Sequence, residues 1–190
     1  MKCQHWGDII VPIGSLADKN FNHEEMIAMS MIGYFYQTDD ITVQKLRNGA
    51  DAEFMFEEEN EGNMLCIDKA WHAIHFTLTG EEWEVSEDKP ISQAVLGGEP
   101  VNDEDMGYGP MRLIPKELVS EIADALAEVD QAVFQSKFNL KDMIEKQIYP
   151  VMYDENEKQF FDYVWEMFVE LKKFYKDASE KNHNVLTFIA

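Results

Sequence analysis

Apolar positions recurring at three- and four-residue steps mark most of this chain as helix with one buried side. The longest such stretch covers about 155–181, where Phe160, Val164, Met167, Leu171, Phe174 and Ala178 form a stripe widened by Phe161, Phe168 and Tyr175. Pro115 opens another, with Leu118, Ile122, Leu126 and Val129 on one face. Shorter helices are expected at 131–137 and at 140–147, the latter capped by Asn139 and stopped near Tyr149 and Pro150. A further one at 90–97 has proline in its first turn and glycine after its last apolar residue. A capped helix at 39–47 closes on Asn48 and Gly49. Three runs read as strands: 31–36, apolar nearly throughout and so suited to cover on both faces, 111–114 ended by Pro115, and 185–189 as a buried closing strand. The segments 57–61 and 81–88 are acidic and read as solvated faces first and as a docking surface for a basic partner second, and 101–110 reads as a turn-rich loop. Strands separated by long helical connections favour parallel or mixed pairing. The expected architecture is therefore α/β: a single domain with a central mixed sheet flanked by helices, and a long C-terminal helix followed by a final strand.

The stretch 68–80 stands apart. Asp68 reads as its N-cap and Gly80 as its left-handed stop. Ile67, Trp71, Ile74 and Leu78 make the apolar stripe, and Asp68, His72, His75 and Thr79 form a second row beside it. No other segment brings an indole, two imidazoles and a carboxylate onto neighbouring faces of one short helix. Residues 1–28 announce no folded element, since Gly7, Pro12 and Gly14 interrupt the apolar positions. They read as an N-terminal extension, poorly ordered or a misassigned start, ahead of a domain at 29–190.

Charge narrows the partners. Thirty-seven acidic against 16 basic side chains give a net charge of −21, a field that repels nucleic acid and anionic membranes and favours basic proteins. Acidity also keeps a protein soluble, and that alone is the commoner reason for it. No run approaches the roughly 20 apolar residues a spanning helix needs, and the N-terminus lacks the features of a signal peptide. Two cysteines, Cys3 and Cys66, form neither a disulfide framework nor a zinc pattern. Cys66 lies in an apolar run where a buried free thiol is expected, which suits a reducing, cytoplasmic setting.

Familiar catalytic signatures are missing: no phosphate-cradling glycine loop, no dinucleotide fingerprint, no nucleophile elbow and no His-Glu-x-x-His. The acidic loop at 102–107 fails as a calcium loop because Met106 and Leu113 stand where oxygen ligands belong. His72 and His75 reach metal-binding strength only with a distant ligand such as His183, and a capping Asp68 has its oxygens committed. A histidine beside an apolar stripe is more often a satisfied core residue. The functional reading of His75 is a pocket hydrogen-bond donor or general acid/base. Trp71 reads first as core. Tyr34, Tyr108 and Tyr149 carry polar tips that suit a cleft, or backbone groups at element ends. The sequence implies no metal and no cofactor.

Several stretches together resemble the YfbM family of uncharacterised bacterial proteins. They are 29–35, Asp68 to Trp71 with 75–80, 90–97, 148–150 and the ending 182–189. The pieces keep the family's order and cover most of 29–190. The resemblance implies one bacterial, cytoplasmic α/β domain and no established activity. It also implies a different polar residue at position 72 and a histidine at 75, which weakens a paired-histidine metal site and favours His75 as the pocket residue.

Two function classes follow. One is a binding module for a basic protein partner, immunity-like in kind. The other is a small-molecule enzyme or ligand sensor with a pocket beside the 68–80 helix, built from His75, Asp68, Trp71, His72, Thr79 and Tyr34. Whether the protein is an enzyme, and its oligomeric state, are not legible in the residues.

Overall fold

The structure is a computed structural model that describes residues 31–190; the expected extension at 1–28 lies outside the described residues. Five strands form one sheet: β1 (Gly33–Thr38), β2 (Met64–Cys66), β3 (Glu99–Asp105), β4 (Pro110–Ile114) and β5 (Asn184–Ile189). Their spatial order is β2-β1-β5-β4-β3. Seven α-helices accompany them: α1 (Asp40–Arg47), α2 (Trp71–Thr79), α3 (Pro90–Leu96), α4 (Lys116–Ala127), α5 (Gln131–Lys137), α6 (Leu140–Glu145) and α7 (Glu157–Glu180). Short 3-10 turns at Glu53–Phe56, Glu58–Asn63 and Asp68–Ala70 complete the described elements.

The expected α/β domain with its long helix and closing strand is what forms, but the sheet is antiparallel at every pairing instead of mixed. The reason lies in the helical excursion between β4 and β5. Ile114, ending β4, stands opposite Val185, starting β5. The chain therefore goes out and back along packed helices and returns to the end it left, which reverses the next strand. The Asn184 side chain fastens that return by accepting a hydrogen bond from the Lys116 amide at 3.0 Å. Two strands, β2 and β3, add to the three expected. β3 falls where a turn-rich loop is expected, because its sequence EPVNDED is poor in strand-favouring residues. It is an edge strand with only Val101 buried, and pairing with β4 holds it.

Side chains alternate across the sheet with the two-residue period of a strand. Phe35, Ile114 and Val185 point into a core shared with α2, α3, α4 and α7. Tyr34, Tyr36, Leu113, Leu186 and Phe188 point the other way, onto Val43 and Leu46 of α1 and onto Met55. All nine stripe residues expected on the long helix are buried, Phe160 through Ala178. Asn139, Asp39, Asp130 and Asn156 each cap a helix by accepting from a backbone amide, satisfying donors that would otherwise be left open. Gly33 permits a close approach between the layers: a Cβ there would lie 2.9 Å from the Trp71 Cβ.

Cys66 is disulfide-bonded. The free buried thiol expected there is corrected, because the residue sits half-buried on a short edge strand, open to a second sulfur, instead of inside the core. Cysteine usage thus no longer argues for a reducing compartment. Among the described residues, no helix is long and apolar enough to cross a membrane.

Candidate functional site

Helix α2 is sealed. Every residue from Trp71 to Leu78 is buried, including His72 and His75 of the row expected to face a cleft, while Asp68 and Thr79 of that row are half-buried. Gly80 ends the helix as expected, at φ 79°, with its amide donating to the Phe76 carbonyl. Thr79 closes the same end: its hydroxyl donates to the His75 carbonyl at 2.8 Å and accepts from the Glu81 amide at 3.0 Å.

Asp68 does not cap the helix. It opens the 3-10 turn that precedes α2, at φ 50°, and no side chain caps that turn. Its carboxylate instead accepts from the Tyr163 hydroxyl at 3.0 Å, while that hydroxyl accepts from the Lys69 amide at 3.1 Å. A partner on α7 has taken the oxygens that the cap needed. Burial and then the Asp68 charge push the Tyr163 hydroxyl's pKa well above the usual phenol range. Tyr34 and Tyr149 are raised by the same two causes, with Asp68 acting less on Tyr149 than burial does. The aspartate thus faces tyrosines, and no contact joins it to either histidine. Tyr163→Phe removes both hydrogen bonds, and a loss of about 1–2 kcal/mol in unfolding free energy is expected from urea titration. A variant as stable as the parent would show that the Asp68 turn needs no anchor.

His72 is satisfied at both ring nitrogens. Its Nε2 lies 2.8 Å from the Glu82 carbonyl, and its Nδ1 lies 3.1 Å from the Tyr149 amide. A carbonyl only accepts and an amide only donates, so the ring is neutral with its proton on Nε2. Burial lowers its pKa, with the Glu82 backbone acting weakly the other way. The ring stacks on Trp71 at 4.9 Å and meets Trp83 at 4.2 Å. Trp71 donates its Nε1–H to the Met31 carbonyl at 3.1 Å and stacks on Tyr149 at 5.8 Å. Tyr149 in turn accepts from the Met31 amide at 3.2 Å, so its polar tip serves a backbone group.

His75 is 1% exposed, and its Nε2 has no partner among the described residues. Burial, then the neighbouring His72, lowers its pKa to about 4, against the opposing pull of the Glu84 backbone and carboxylate. Tyr34 lies on the far side of the sheet, stacked on Phe188 at 5.2 Å. The structure therefore brings together Trp71 and His72, with His75 one turn on. It leaves Asp68 in a separate tyrosine cluster, Thr79 at the helix end and Tyr34 across the sheet. Trp83 and Tyr163 belong to these clusters although the residue pattern does not mark them: Trp83 sits in an acidic run, and Tyr163 lies beside a stripe it does not join.

An open cleft of about 450 Å³ lies at the C-terminal end of α2, lined by Thr79, Ser136, Lys137, Asn139, Asp142 and Lys146 among others. Lys137 donates to the Leu78 carbonyl at 3.3 Å, offsetting the negative end of the helix. Lys146 lies 5.0 Å over the Phe76 ring. His75 is not part of the lining. Among the described residues, no three His, Cys, Asp or Glu side chains are grouped to hold a metal ion.

An antiparallel five-stranded sheet, most helices over one face with α1 on the other, and a buried aromatic–imidazole cluster define an α/β domain without an assigned chemistry, and its sequence relations are of the same kind. The chain belongs to the family described as "Domain of unknown function (DUF1877)", which matches residues 29–188. It is 28% identical over 167 residues to Protein YfbM of Escherichia coli (strain K12), spanning 85% of this chain and 99% of that protein. The crystal structure of YfbM from Escherichia coli, a protein of unknown function, superposes with a TM-score of 0.66 at 27% identity. That match covers 84% of this chain and all of the other.

Proposed function

We propose that this protein is a binding module for a basic protein partner, immunity-like in the sense that an acidic chain occupies a basic face. The observation that carries this reading is the contrast between inside and outside. Both imidazoles of α2 are 1% exposed, and one is fully committed to backbone groups. What a partner meets is acid, at a net charge of −21. A general acid/base needs access to the proton it moves, whereas a docking surface needs only complementary charge and an anchor.

Affinity capture from the host's lysate tests the proposal, with an unrelated protein of matched negative charge alongside. One basic protein retained in stoichiometric amount at low salt, and released as salt rises, is the expected result. Retention of the same set by both proteins, or of nothing, would remove the proposal. The second reading, a small-molecule enzyme or sensor, has the 450 Å³ cleft in its favour. Of the residues expected to build its pocket, Thr79 is the one that lines that cleft.

A further inference from the structure

Trp83 is 57% exposed, yet it is not loosely held. Its ring centroid lies 4.2 Å from that of His72, with the planes 38° apart, and 5.9 Å from that of Trp71. One face is therefore packed inward and the other is open. The loop carrying it is pinned at the preceding residue, where the Glu82 carbonyl receives the His72 Nε2–H at 2.8 Å. The other nitrogen of the same imidazole takes the Tyr149 amide at 3.1 Å. One buried ring thus ties down both the 81–88 loop and the segment that leads to Met152 and Tyr153, which are 58% and 84% exposed.

Around Trp83 the loop is acidic. Glu81, Glu84, Glu87 and Asp88 are exposed. Among the described residues, the one ion pair made by this loop joins Glu82 to Lys146 at 3.8 Å. The Glu84 carboxylate accepts from the Trp83 amide at 3.3 Å and also feels the Lys146 charge, and an aromatic face offered to solvent among exposed carboxylates is the setting in which a cation stacks on an indole. Because the ring is fixed before binding, little side-chain freedom is lost on contact, and tryptophan is the residue type most often found at the energetic centre of an interface.

We propose that the 81–88 loop is the contact surface for the basic partner. It takes a lysine- or arginine-bearing segment, whose cation stacks on the open face of Trp83 while flanking basic groups pair with Glu81, Glu84 and Glu87. His72 acts as a positioning residue, setting the loop without touching the partner. This surface rests on the binding-module reading.

Calorimetric titration with a nona-arginine peptide tests the surface, using Trp83→Ala, the pair Glu81→Gln/Glu84→Gln, and the pair Glu58→Gln/Glu59→Gln. The last pair removes the same charge from the opposite side of the sheet, so it controls for bulk electrostatics. Trp83→Ala is expected to weaken binding about tenfold. Glu81→Gln/Glu84→Gln should weaken it and flatten its salt dependence, while Glu58→Gln/Glu59→Gln shifts it by less than about threefold. Equal weakening by the two glutamate pairs, or wild-type affinity in Trp83→Ala, overturns the surface. Lysate capture separates the two levels of the argument. A basic protein held equally by wild type and Trp83→Ala leaves the module standing and the surface wrong, whereas no protein held by wild type removes both.

Discussion

Trp71→Ala lowers the unfolding free energy by about 3–5 kcal/mol, the range for truncating a buried aromatic. The indole is 1% exposed and sits where three parts of the fold meet. It lies against β1 through the close approach at Gly33, against His72 and Tyr149 by stacking, and against the Met31 carbonyl through its Nε1. Truncation leaves a cavity that these neighbours cannot fill, because His72 is tethered at both nitrogens and β1 is paired on both sides. It also leaves the Met31 carbonyl without its donor. Trp71→Phe keeps much of the stack and loses the hydrogen bond, so about half the loss is expected. Urea midpoints at constant slope decide it; a loss under about 1 kcal/mol for Trp71→Ala would show that the site collapses around the gap.

Acid weakens the fold through the histidines of α2. The folded-state pKa of His75 is about 4, below its ordinary 6.5, chiefly because burial penalises the imidazolium. As pH falls, the unfolded chain takes the proton first. The stabilising term is therefore complete above pH 6.5 and is lost progressively on the way down to about 4, amounting to about 3 kcal/mol. His72, also lowered, acts in the same direction. Its protonation would turn the Nδ1 acceptor into a second donor facing the Tyr149 amide. The readout is the difference between the stability–pH curves of the wild type and His75→Gln, since the carboxylates titrate in both. The wild-type curve should fall more steeply between neutral pH and about pH 4.5; parallel curves would sink the assignment.

Much of the helical layer was legible because its signals are local. The nine-residue stripe of α7, the caps Asp39 and Asn139 and the stop at Gly80 depend on neighbours a turn away. The central strands were legible for the same reason, being apolar on both faces. The edge strands were not: β2 has three residues, and β3 is acidic and held by its partner. Nor was strand direction, which depends on where the chain returns after four helices.

For the site, spacing placed Trp71, His72 and His75 on one helix. Whether that row faces solvent was decided by residues far along the chain. Tyr149, 77 positions from His72, and Tyr163, 95 positions from Asp68, took the polar groups that the sequence left open. A single helix carries no sign of what will cover it.

The place of β5 at the middle of the sheet sets the order in which this fold can be completed. β1 with β2, and β4 with β3, are joined across the sheet through β5 alone, and β5 follows every other described element. Until β5 is made, neither pair can gain its native inner neighbour, and any pairing of β1 with β2 or of β4 with β3 leaves an open inner edge of the kind that recruits foreign strands. They wait through the whole of α4 to α7 before their common neighbour emerges. A net charge of −21 makes like-charged nascent copies on one message repel one another over that interval.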